Sequence, residues 1–187
     1  FFYLAPWFLL FLVPAITMKT FADEFQTGTI EILKTRPITN FQIILGKFFA
    51  VLLLIIIAVI PTFVYVYSIH QLGNPIGNID YGSTIGSYVG LLLLASSYAS
   101  IGVFTSSISK NQIVAFLLGI VIAFFFYYGF DAVANLFGSS SYTVKLFGMN
   151  EHFKSISRGV LDTRDVLYFF SIIVFFLFIT KQKLTNE

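Results

Sequence analysis

Long apolar runs alternate with short polar joints along this chain, and that alternation sets the expected architecture. The runs cover residues 1–18, 48–69, 85–104, 113–130 and 166–180. The second contains the unbroken stretch VLLLIIIAVI; the third is less greasy and rich in small residues. A helix needs about 20 apolar residues to cross about 30 Å of hydrocarbon. Four runs meet that length closely. The fifth is short and needs Asp162 and Asp165 at headgroup level, with Lys181 and Lys183 snorkelling at its other end. The runs are continuous rather than alternating in and out, which excludes a transmembrane barrel. The pattern predicts an all-α polytopic membrane protein with five crossings, forming a single membrane domain over residues 1–187.

The joints orient it. Lys19, Lys34, Arg36, Lys47, Lys110, Lys181 and Lys183 fall on one side of that topology. Lys145, Lys154, Arg158 and Arg164 fall on the other. The excess places residues 19–47 and 106–112 in the cytoplasm and residues 131–165 outside. The chain opens on Phe1, already inside an apolar run, so we expect a further amphipathic helix and a first span before it. Pro6, Pro14 and Pro61 lie within runs, where they kink helices but are tolerated in membranes. Thr39 with Gln42 fits a capping box, which starts a helix near Asn40.

Three segments carry more than hydropathy. Gly86 and Gly90 form GxxxG, continued by Ala95 and Ala99, a small-residue face for close helix packing or for a dimer or substrate surface. In residues 150–161, Phe153, Ile156 and Val160 recur at i, i+3 and i+7 with Lys154 and Arg158 on another face. That spacing predicts an amphipathic helix lying in the membrane interface, as a cap or a gate. Residues 23–36 mix Asp23, Glu24 and Glu31 with Lys34 and Arg36, interleaved with Phe25, Ile30, Ile32 and Leu33 before Pro37. They suit a short amphipathic helix packed on its own bundle or offered to a cytoplasmic partner.

Composition narrows the chemistry. The chain is 57% hydrophobic and 11% charged, which excludes an ordinary soluble domain. Its net charge of +2, thinly spread, argues against nucleic acid as a partner. There is no cysteine, hence no disulfide or thiolate site. Gly46-Lys47 is followed by Phe48 and lacks the glycine of a phosphate-binding loop. His70 and His152 have no partners at metal-ligand spacing, and no serine stands in GxSxG. We expect no catalytic, cofactor or metal site. An acid inside a span is functional by default; Asp131 ends the fourth run, where an interfacial position is the simpler reading.

Two stretches are similar to a known family. Glu24, Phe25, Gly28, Thr29, Ile30, Glu31 and Leu33, then Thr35-Arg36-Pro37 and Gly46-Lys47, resemble the segment between the second and third helices of ABC-2 type permeases. His152, Phe153, Ile156, Arg158, Gly159, Asp162 and Asp165 resemble the outer segment leading into their sixth helix. The likeness covers essentially the whole chain and is nearest the gliding-motility-associated branch. It implies a type V exporter-like bundle with five of six transmembrane helices present here. It implies a bacterial cytoplasmic membrane location and a second permease subunit. It also implies a separate ATPase subunit, which binds the ATP and docks on residues 24–36. Two other classes stay open from the residues alone. One is a membrane-embedded enzyme, which would gather His70, His152 and Asp131 in one cavity. The other is an assembly scaffold that uses the small-residue face to oligomerise.

Overall fold

The computed structural model describes residues 1–35, 37–74, 77–135 and 141–185. It is a helical bundle, without strands among the described residues. Five helical stretches are long and apolar enough to cross a membrane: Ala5–Thr27, Asn40–Leu72, Tyr81–Ile108, Gln112–Ala134 and Thr163–Thr185. This is the expected fold class.

Local sequence explains where the helices start and break. Helix α1 (Ala5–Thr17) has Pro6 in its first turn, where a missing N–H costs nothing. Two six-residue helices follow, α2 (Ala22–Thr27) and α3 (Thr29–Lys34). Helix α4 (Asn40–Val59) opens on the capping box of Thr39 and Gln42. Pro61 then tightens the chain into a 3₁₀ turn, Ile60–Thr62, before α5 (Phe63–Leu72). Helix α6 (Tyr81–Ile108) is capped by Asp80, which accepts from the Ser83 N–H. Asn111 caps α7 (Gln112–Phe124) in the same way. A π turn, Phe125–Gly129, leads from α7 into α8 (Phe130–Ala134). The outer segment forms α9 (Ser141–Lys145) and α10 (Met149–Ser157). Helix α11 (Thr163–Thr185) ends the bundle.

Two expectations need correction. The fifth run is not short: α11 spans 23 residues, because Asp165 sits in its first turn and Lys183 in its last. Acids at a helix start and cations at its end favour the macrodipole, so the polar flanks extend the helix rather than end it. The outer amphipathic helix stops at Ser157. Gly159 turns the chain with φ +89°, a conformation that side chains disfavour. Val160 therefore leaves the apolar face and is 68% exposed.

Helix α6 is the centre of the bundle, packed by α1, α4, α7, α10 and α11. Its apolar window is 72% buried, against 22% for that of Gln112–Ala134. The run richest in small residues is thus the one most shielded from lipid, and those residues let its neighbours come close. Ala95 and Ala99 are fully buried there. Large apolar side chains instead cover the outside, among them Leu53, Ile57, Leu117, Val121, Phe170 and Phe178. They give the bundle the surface a hydrocarbon solvent requires.

Candidate coupling site

One end of the bundle gathers α2, α3, the start of α4, the α6–α7 turn and the end of α11. The turn between α1 and α2 is held by a single hydroxyl. Ser106 Oγ of α6 accepts from the backbone N–H groups of Phe21 (2.9 Å) and Ala22 (3.0 Å). It donates to the Met18 carbonyl oxygen at 2.9 Å. This satisfies helix-end groups that would otherwise be buried without partners. Asp23 accepts from the Gln112 side-chain amide at 2.6 Å, tying α2 to the start of α7.

Lys47 ties the same segment to α4. Its ammonium donates to Glu24 Oε1 at 2.5 Å and to the Thr20 carbonyl oxygen. It also lies 4.6 Å from the centre of the buried Phe21 ring. An ammonium over a ring face, paired with a carboxylate, is held by charge and by the ring quadrupole together. At the far end of the segment, Asn40 donates to the Leu184 carbonyl oxygen of α11. Hydrogen bonds thus join α2 and the turn before it to α4, α6 and α7.

The segment is two short helices rather than one. Gly28 separates them with φ +74°, and nothing lies within 4 Å of where a side chain would stand. As a docking segment it would offer Phe25, Ile30 and Leu33 to a partner's groove. Ile30 is instead 8% exposed in the chain's own core, with Phe25 and Leu33 packed against that core. A six-residue helix seated on the bundle has few apolar positions to share, and these three are used internally. Outward stand Glu31, Thr29 and Ile32, the last 63% exposed. Pro37 is exposed beyond them, and Arg36 lies outside the described residues.

Removing the Ser106 hydroxyl isolates this network experimentally. Ser106→Ala leaves two buried N–H donors and the Met18 carbonyl without their partner, which costs about 1–3 kcal/mol. The expected result is a lower unfolding midpoint in detergent, measured by circular dichroism, with Ser106→Thr retaining part of the difference.

The opposite end carries the second sequence motif. Phe153 and Ile156 are buried, and they meet the small face of α6 rather than the membrane interface. A Cβ on Gly90 would come 3.2 Å from Ile156 Cγ2 and 3.3 Å from Phe153 Cδ2. Gly86 faces the Ile156 carbonyl oxygen and Gly159. His152, read as isolated in the sequence, is paired. Its Nε2 donates to the Leu146 carbonyl oxygen at 2.9 Å, and its Nδ1 is hydrogen-bonded to Asp165 Oδ1 at 2.6 Å. Its ring stacks on Tyr168 with centroids 3.9 Å apart. Arg158 and Asp162 line the open cavity beside it.

The geometry does not bring His70, His152 and Asp131 into one cavity. The cavity at His152 is lined by neither Asp131 nor His70. Asp131 accepts from the Asn150 amide, and His70 stands near Tyr81 at the end of α5. Among the described residues no three His, Asp or Glu side chains stand together to hold a metal. The sequence carried no signal for the Ser106, Gln112 and Asp165 contacts with Phe21, Asp23 and His152. Two of those partners lie more than 80 positions away, and only the fold brings them together.

Comparison with known proteins agrees with this geometry. A family model described as ABC-2 family transporter protein matches residues 5–160. No curated protein and no solved structure matches the chain.

Proposed function

Because the chain belongs to the ABC-2 family of transporter proteins, we propose that its α2–α3 segment is the coupling element for a separate ATPase subunit. A multi-pass membrane permease subunit is what the family and the five apolar helices establish. The finer reading is an exporter of the bacterial cytoplasmic membrane. A partner ATPase holds the ATP in that reading, and a second permease subunit completes the path. The gliding-motility branch belongs to it on the strength of the two sequence motifs alone.

One observation carries the coupling assignment. The α2–α3 segment is anchored to three other helices by Ser106, Lys47 and Gln112, yet leaves Glu31 and Ile32 facing outward. A firmly rooted element with a free outer face is suited to receiving a push and passing it on. Its three inward apolar residues hold the root, and Gly28 sets the angle between the two short helices.

Reconstitution with the cognate ATPase subunit tests the reading. Ile32→Asp and Glu31→Lys should insert and fold normally but lose ATPase binding and permease-stimulated ATP hydrolysis. A buried interface anchor usually costs about 2 kcal/mol or more when removed. Ile30→Ala should act differently, lowering the unfolding midpoint of the permease itself. Full ATPase binding by both outward variants would remove the coupling role and favour a non-transporting scaffold.

A further inference from the structure

At the end of the bundle opposite α2 and α3, a cavity of about 490 Å³ opens between the start of α1, the start of α6, the π turn and α10. Trp7, Tyr3, Tyr127 and Tyr128 line it, with Phe2 and Phe153. Ser83, Ser87, Ser157, Asn150 and Lys154 complete the wall.

The hydrogen-bond inventory of this wall is lopsided. The serine hydroxyl protons are committed: Ser83 and Ser87 donate to the Ser157 carbonyl oxygen, and Ser157 to that of Lys154. The Asn150 amide donates to Asp131. The hydroxyls of Tyr3, Tyr127 and Tyr128 and the indole N–H of Trp7 have no hydrogen-bond partner among the described residues. Lys154 reaches only Glu151, at 3.2 Å, in an exposed pair. Such a surface pair is worth little and is easily exchanged. No carboxylate lines the cavity.

The unspent groups are therefore one indole N–H donor, three phenol hydroxyls that can donate or accept, and one cation. Donors without partners call for a ligand rich in oxygen acceptors, and the ammonium favours one that is negative. The aromatic faces add apolar area around them. The cavity also sits at the end of apolar helices, where a membrane changes from chain to headgroup.

We propose that this cavity binds an anionic amphiphile, its oxygen-rich head at Lys154 and the tyrosine hydroxyls and its apolar body against Trp7 and Phe2. The site goes beyond ATPase coupling and needs neither nucleotide nor partner subunit. Its failure would leave the coupling assignment untouched, and the reverse.

Trp7 is the only tryptophan in the chain, so its emission reports on the cavity directly. The purified chain in neutral dodecyl maltoside micelles is titrated with dodecyl phosphate, inorganic phosphate or dodecyl trimethylammonium. The expected result is a saturable change with dodecyl phosphate alone. Lys154→Gln should shift its midpoint about tenfold, the loss of one charge-assisted hydrogen bond. Tyr128→Phe should shift it in the same direction by less. Both side chains are well exposed, so circular dichroism should show an unchanged fold. An equal change with dodecyl trimethylammonium would mean detergent insertion and overturn the site. Saturation by inorganic phosphate at the same midpoint would overturn the amphiphile in favour of a free anion. An unshifted midpoint in Lys154→Gln would overturn the role of charge.

Discussion

A single methyl group at Gly86 should loosen the outer cap from the bundle. The added Cβ would stand 2.4 Å from the Ile156 carbonyl oxygen and 3.0 Å from Gly159 Cα. Both neighbours are backbone, so no side chain can swing away. Gly159 in turn presses on Gly82, where a Cβ of its own would meet backbone at 2.7 Å. Relief requires α10 to move off α6, which uncovers Phe153 and Ile156. The cost of Gly86→Ala should lie at or above the top of the roughly 1–3 kcal/mol usual for overpacking. Gly46→Ala is the matched control. Nothing lies within 4 Å of its Cβ position, and α4 is helical through it. Alanine should be neutral or stabilising by up to about 1 kcal/mol there. Unfolding midpoints in one detergent compare the two directly; equal midpoints would mean that the cap is not seated on the small face.

The second large effect belongs to the acid that holds His152. Asp165 is nearly buried, and its bond to His152 is one of two that the ring makes. Asp165→Ala removes the carboxylate and leaves a partly buried imidazole facing an empty place. The expected loss is about 1–3 kcal/mol, the range for a buried polar group left without its partner. Asp165→Asn keeps the shape and one acceptor and should lose less. The readout is a double-mutant cycle with His152→Gln. Additive losses would show that the two side chains do not act as a unit.

Much of the bundle was legible because its causes are local. Apolar length gave the spans, Thr39 and Gln42 marked a helix start, and Pro61 marked a break. The small residues of α6 showed that some helix must come close, but not which one. The partner proved to be the outer helix α10, and only the tertiary fold decides that. The outer helix was legible at Phe153 and Ile156 and misread at Val160, because period alone does not register the turn that Gly159 makes. The α2–α3 segment was legible as a mixed stretch. Which of its apolar residues face inward was not. Over six-residue helices the periodicity is too short to define a face, so Ile30 and Ile32 look equivalent until the bundle is present. Ser106 and Asp165 gave no local signal, since their partners depend on contacts between distant positions.

The π turn has a consequence for lineage. Buried positions along this span fall every four residues, at Ala115, Gly119, Ala123, Tyr127 and Asp131. In a regular α-helix four residues turn about 400°, so such a series drifts by about 40° at each step and leaves the buried face. The wider turn at Phe125–Gly129 takes up one extra residue and winds the series back. The helix therefore carries the mark of an inserted residue. A relative with an unbroken α-helix here would align only with a one-residue gap between positions 125 and 129. Without that gap its alignment would set a neighbouring residue opposite Asp131, the acid that Asn150 meets.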